Sequence, residues 1–329
     1  MLGLILKIIE SFRLNSVLSN FFQIFLLISP VFLLIILGNI LRRIGVPDLS
    51  FWEVNDKLCY WVLIPALLFH FISQVSLSSE MLFIYSAIVF AGFVVTFCSS
   101  IFFGKLLRYT PEVWTSILQG SMRQNAFIAL AIAGSFYGSE GLKIASLFMF
   151  IYVPTINIII ITTMVLALNK TEEKDTKKAI SNVFLEIAKN PFILAMIAGL
   201  LVSLFPIEKM SVLIDTTELL GSAALPIMLL TIGAKIKVRD LTLKVVPIVI
   251  SNSLKLIILP VVVYFLASYY DLSQTEIVVA VIFASVPTAA MSYSLAQQFG
   301  ADHQLMRAIL TTQVALSFIT IPLLLAFIA

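Results

Sequence analysis

The stretch VWTSILQGSMRQNAFIALAIAGSFY, residues 113–137, decides how this chain is read. It has the length of a membrane-crossing helix, which needs about 20 mostly apolar residues. Its centre, Ser121-Met122-Arg123-Gln124-Asn125, is nevertheless polar and charged. A second stretch, IVVAVIFASVPTAAMSYSLAQQF, residues 277–299, is interrupted at the matching place by Ser285-Val286-Pro287-Thr288. Each follows a glutamate, Glu112 or Glu276, and each ends in an aromatic-glycine pair, Tyr137-Gly138 or Phe299-Gly300. Paired interruptions in two repeated halves point to the binding site of a secondary transporter. Backbone unwound at membrane depth is tolerated only where it is buried in protein or lines a cavity.

The composition agrees. Of 329 residues, 60% are hydrophobic and 12% charged, and the mean hydropathy is +1.06. A soluble domain carries roughly 45–50% apolar and about 25% charged residues. The chain therefore reads as an integral membrane protein with no room for a separate soluble domain. A net charge of +3 with its basic residues in loops speaks of membrane topology, not of nucleic-acid contact. Cys59 and Cys98 both lie in apolar segments without a ligand cluster, so they read as packing residues.

Ten segments have the length to cross a bilayer: 21–41, 53–75, 80–106, 112–138, 142–168, 190–206, 210–234, 243–268, 275–299 and 303–328. Residues 1–20 alternate apolar and charged positions at near-helical spacing, which suits an interfacial helix. The second segment carries Leu63-Ile64-Pro65-Ala66 and the seventh Ala224-Leu225-Pro226-Ile227, both with a proline expected to kink the helix. With the broken fourth and ninth segments, this predicts a repeat of five helices, 21–168 and 190–329, joined by a polar linker at 169–189. Five is odd, so the two copies enter the membrane from opposite sides, as an inverted repeat. Placing both termini outside puts fifteen lysines and arginines in inner loops, against Lys7, Arg13, Lys143 and Lys209 outside. That is the positive-inside bias of a plasma or inner membrane protein.

Two cations remain at membrane depth, Arg123 and Lys255. A charge there costs about 2.5–3.5 kcal/mol on insertion scales, so it has a partner or a function. Arg123 stands in the first interruption, where a second half-helix begins at Gln124-Asn125. The free N–H groups of such a helix start, with the positive end of its dipole, attract anions. A guanidinium beside them can fork onto a carboxylate. Asn125 is suited to cap the half-helix or to touch substrate. In the other interruption, Pro287 breaks the helix, and Ser285 and Thr288 offer hydroxyls to freed backbone or to a ligand. Lys255 either adds positive potential to the same cavity or pairs with an acid, Asp215 or Glu218. His70 lies in the second segment and His303 at the start of the tenth. Neither sits in a metal-ligand pattern. Gly38 and Gly45, and Gly134 and Gly138, read as helix-packing pairs. No cofactor, metal or catalytic constellation is legible.

On these residues the chain resembles the auxin efflux carrier family, which includes bacterial malate or malonate permease-like proteins. The resemblance rests on Arg123-Gln124-Asn125-Ala126-Phe127, Tyr137-Gly138, Asn190-Pro191-Phe192-Ile193, Leu225-Pro226-Ile227-Met228, Lys255-Leu256-Ile257-Ile258-Leu259-Pro260 and Ala284-Ser285-Val286-Pro287-Thr288-Ala289. It runs from the first segment to the C-terminus. It implies a bile acid–sodium symporter-like fold of ten helices. Helices 1, 2, 6 and 7 would form a scaffold, and helices 3–5 and 8–10 a transport domain in which broken helices 4 and 9 cross. It also implies carboxylate transport and dimers through the scaffold. The family's Gly-Leu-Pro-like run after the asparagine is replaced here by Ala129-Leu130-Ala131. The resulting expectation is a transporter of a small organic anion, with Arg123, Gln124, Asn125, Ser285, Pro287, Thr288 and Lys255 at the substrate. A cation–proton antiporter of related architecture would need a carboxylate at the crossing, and neither interruption has one. A membrane receptor that binds without transporting is the other alternative.

Overall fold

The computed structural model describes residues 2–75, 79–168, 185, 187–204, 210–236 and 244–328, with side chains from residue 17 onward apart from residue 79. The expected linker at 169–189 and the cations Lys209, Lys237 and Arg239 therefore lie wholly or largely outside the described residues. Every regular element among the described residues is helical.

The elements in chain order are α1 (Leu2–Ile44), α2 (Leu49–Leu58), α3 (Ile64–Ile72), α4 (Ser79–Leu106), α5 (Pro111–Met122), α6 (Ala126–Leu168), α7 (Pro191–Val202), α8 (Ser211–Lys235), α9 (Val245–Ser253), α10 (Leu259–Tyr269), α11 (Gln274–Ser285), α12 (Met291–Phe299) and α13 (His303–Ile328). Among the described residues, six helical runs are long and apolar enough to cross a membrane: 17–44, 80–106, 111–168, 211–235, 245–269 and 303–328. Large apolar side chains such as Leu26, Phe83, Phe265 and Phe327 point outward. Such a surface is suited to lipid, not water. The first helix runs unbroken from Leu2, so the N-terminal segment and the first crossing are one helix by backbone.

Local chemistry explains the ends. Glu276, singled out by its place before the second interrupted stretch, belongs to a capping box with Ser273 at the start of α11. Asn190 caps α7 by accepting from the Phe192 N–H, with Pro191 at the first helical position. Gly138 and Gly300 both take positive φ, 56° and 76°. Only glycine adopts this freely, so the two aromatic-glycine pairs mark turns at the ends of the interrupted stretches. The turn at Gly138 divides α6 into two arms.

Two π turns, Cys59–Leu63 and Leu254–Ile258, sit immediately before Ile64-Pro65 and Leu259-Pro260. Proline lacks an N–H and clashes with the carbonyl four residues back. One extra residue in the preceding turn relieves that clash. The device joins α2 to α3 and α9 to α10 without a break. Pro226, expected to mirror Pro65, instead lies inside an uninterrupted α8.

At the α1–α8 crossing two glycines let the backbones approach closely. A Cβ on Gly38 would fall 2.0 Å from the Leu230 carbonyl oxygen, and one on Gly233 would fall 1.8 Å from that of Ile35. Gly134 likewise meets a neighbour, Leu142. Gly45 and Gly138, paired with these two in the sequence, do not pack: each has positive φ and nothing within 4 Å of a built Cβ. They serve turns. The Gly233→Ala variant should lose about 1–3 kcal/mol or more, because the obstacle is backbone that no rotamer change can move. Its melting temperature in detergent checks this, and an unchanged value would mean that the crossing is loose.

Candidate functional site

Both interruptions are real breaks. The first leaves Arg123, Gln124 and Asn125 non-helical between α5 and α6. No proline stands at this break; the freed Gln124 and Asn125 N–H groups are met by the Tyr152 hydroxyl and the Pro287 carbonyl. The second spans residues 286–290 between α11 and α12.

The two breaks meet and satisfy each other. The Asn125 N–H donates to the Pro287 carbonyl at 2.8 Å. Gln313, from α13, bridges them: its Oε1 accepts from the Thr288 N–H at 2.8 Å, and its Nε2 donates to the Gly120 carbonyl at 3.0 Å. The Thr288 hydroxyl contacts Ser292 Oγ at 3.1 Å and reaches the Gln119 carbonyl at 3.5 Å. The Tyr152 hydroxyl accepts from the Gln124 N–H at 2.6 Å and donates to the Met122 carbonyl at 3.3 Å. Asn125 Oδ1 caps the second half-helix by accepting from the Ile128 N–H at 3.4 Å. All but the Thr288–Ser292 contact satisfy a backbone group that would be costly to leave unpaired at membrane depth.

A cavity of about 180 Å³ opens beside the first break. Arg123, Gln124 and Asn125 line it, together with Asn157, Tyr152 and Phe192 among others. Arg123 is 5% exposed. Its Nη2 donates to Asn157 Oδ1 at 2.9 Å and lies 3.8 Å from Met291 Sδ, while Nη1 is buried with no hydrogen-bond partner among the described residues. Gln124 Oε1 is also buried without one. A guanidinium held by one edge, with the other nitrogen unmet in a mostly apolar cavity, is chemically a receptor for an anion. Asp56 and Lys235 line the same cavity and form an ion pair at 2.6 Å.

Of the residues expected at the substrate, three come together here and four do not. Ser285 donates back to the Ile282 carbonyl within its own helix. Pro287 and Thr288 are engaged in joining the breaks, and neither lines the cavity. Lys255 is fully buried in the π turn before α10, off the cavity, and its Nζ has no partner among the described residues. Neither Asp215 nor Glu218 reaches it. Both are exposed, and Glu218 lines a separate cavity of about 540 Å³ with His70. That histidine is held by the Ile214 carbonyl at 3.2 Å and by Gln74 Nε2 at 2.9 Å.

The sequence reading passed over Asn157, Tyr152 and Gln313. Asn157 and Gln313 carried a signal, since each is an amide inside an apolar stretch that must find partners at membrane depth. Asp56 was likewise passed over, and Lys235 entered only as one of the fifteen inner-loop cations.

Comparison with known proteins points to membrane transport. Residues 23–325 match the model of a family described as membrane transport protein. A protein of Methanothermobacter thermautotrophicus named an uncharacterized transporter is 22% identical over 299 residues, which are 90% of this chain and 95% of that one.

Proposed function

Because the chain belongs to the membrane transport protein family, of auxin efflux carrier-like proteins, we propose that it moves a small organic carboxylate across the membrane by alternating access where its two broken helices meet. The observation that carries this reading is Arg123, which lines the cavity and whose buried Nη1 has no hydrogen-bond partner among the described residues. A carboxylate satisfies it with a charge-assisted hydrogen bond, and the start of α6 adds positive potential from the same side. The chain is a multi-pass transporter, not an enzyme.

The ten-crossing inverted repeat is part of the proposal. Supporting it are α2–α3 and α9–α10 as continuous bent crossings, the two breaks in corresponding segments, and the positive-φ glycine closing each interrupted stretch. The cavity touches α2, α3, α7 and α8 on one side and the two breaks with α6 and α12 on the other, as a scaffold facing a transport domain would require. Against a cation–proton antiporter stands the cavity's carboxylate, Asp56, which is already ion-paired.

Proteoliposomes containing the purified protein should show saturable uptake of at least one of acetate, malonate and phenylacetate. Binding without flux would favour a receptor, and neither binding nor flux would remove the carboxylate assignment. Cysteine accessibility should place residues 169–189 in the cytoplasm and the C-terminus outside. A cytoplasmic C-terminus would sink the inverted repeat.

A further inference from the structure

The Asp56–Lys235 pair is a charge filter at the cavity: we infer that Asp56 masks Lys235, which is a second anion contact held in reserve. This deepens the anion-transport reading and rests on it for what passes through the cavity.

The pair is placed by construction. Asn55 Nδ2 donates to Thr231 Oγ1 at 2.6 Å, and this buried bond fixes α2 against α8. The next residue on α2 and the residue one turn on along α8 are Asp56 and Lys235, which meet at 2.6 Å. Lysine near a helix end commonly serves the last carbonyls. Here α1 does that work: Asn39 Nδ2 donates to the Gly233 and Ile236 carbonyls at 3.1 and 2.8 Å, and Arg42 Nη1 donates to the Ala234 carbonyl at 2.6 Å. The Lys235 side chain is thereby released from helix capping and turns into the cavity wall.

Stability does not explain the pair. The two side chains are 41% and 35% exposed, and pairs so exposed contribute little. Their effect on the cavity is larger. Among the described residues, the charged side chains lining it are Arg123, Asp56 and Lys235. A carboxylate standing alone in the cavity would repel an arriving anion. Paired, it cancels Lys235, and Arg123 is left as the uncompensated charge. An anion that reaches Lys235 competes with Asp56 for the same ammonium, whose flexible stem and rotatable donors allow the exchange.

The test uses thiol reagents, so it does not depend on knowing the substrate. Met228 lines the cavity on the same helix as Lys235. In a Cys59→Ser, Cys98→Ser background, Met228→Cys is reacted with two methanethiosulfonates, one carrying a sulfonate and one a trimethylammonium group. Asp56→Asn should raise the sulfonate-to-ammonium rate ratio on the order of three- to tenfold, and Lys235→Gln should lower it comparably. Both changes should shrink in about 1 M salt, where the screening length is about 3 Å. The double variant should return close to the parent. The concentration of malonate that protects the thiol should fall in Asp56→Asn and rise in Lys235→Gln. An unchanged ratio in both single variants overturns the filter, as does a thiol that neither reagent reaches. A shifted ratio with malonate protection unaltered removes Lys235 as an anion contact. If the carboxylate assignment itself is wrong, the ratio still shifts but malonate protects neither parent nor variants, whereas protection that is present and equal in all of them removes Lys235 alone, so the two failures can be told apart.

Discussion

Arg123→Ala should abolish tight anion binding while leaving a folded protein. Truncating one member of a buried charge-assisted pair costs on the order of 2–5 kcal/mol. That is roughly 30- to several-thousand-fold in affinity. The structure sharpens the expectation, because Nη1 has no partner to lose among the described residues and Nη2 has Asn157 and Met291. Arg123→Lys should recover part of the affinity: the ammonium keeps the charge but cannot hold Asn157 and an anion with one planar fork. Both variants should be titrated with acetate, malonate and phenylacetate, with melting temperature followed in parallel. A large fall in melting temperature with unchanged affinity would make Arg123 a structural residue. Such a result would leave the half-helix N-terminus as the main anion ligand.

Gln313→Leu should damage the protein differently. Leucine is close in size, so the loss is of hydrogen bonds more than of volume. The Thr288 N–H and Gly120 carbonyl, at the two breaks, would both lose the partner that the structure gives them. Each buried polar group left unsatisfied costs about 1–3 kcal/mol, so roughly 2–6 kcal/mol is expected. The protein should melt well below wild type, and flux should fall even where the folded fraction is preserved, because the breaks are no longer held in register. A melting temperature equal to wild type would mean that water or another side chain replaces the amide.

Much of this was legible before any coordinates. The interruption at Arg123-Gln124-Asn125 and the proline at 287 were visible because polar and helix-breaking residues are conspicuous in an apolar sequence. Both breaks lie within two residues of where the sequence placed them. The aromatic-glycine ends and Glu276 were visible for the same reason. What each did was less legible. Glu276 proved to be half of a capping box. Gly45 and Gly138 proved to be turn residues, since spacing alone does not distinguish a glycine that packs from one that needs positive φ.

The assignment of partners was out of reach. Ser285, Thr288 and Lys255 had the right chemistry and the right depth, yet the structure turns them into the protein and away from the cavity. Asn157 stands 34 positions from Arg123, and Gln313 stands 193 from Gly120. No local pattern announces such a contact.

Composition and the length of apolar runs by themselves determined that this chain is a helical membrane protein with two interrupted segments, because the bilayer penalises every exposed polar group and so writes its constraints into each segment separately. Only the tertiary structure decided which side chains face the cavity. Helix rotation and inter-helix hydrogen bonds depend on residues far apart in the chain, and the same polar side chain can satisfy either a neighbouring backbone or a ligand.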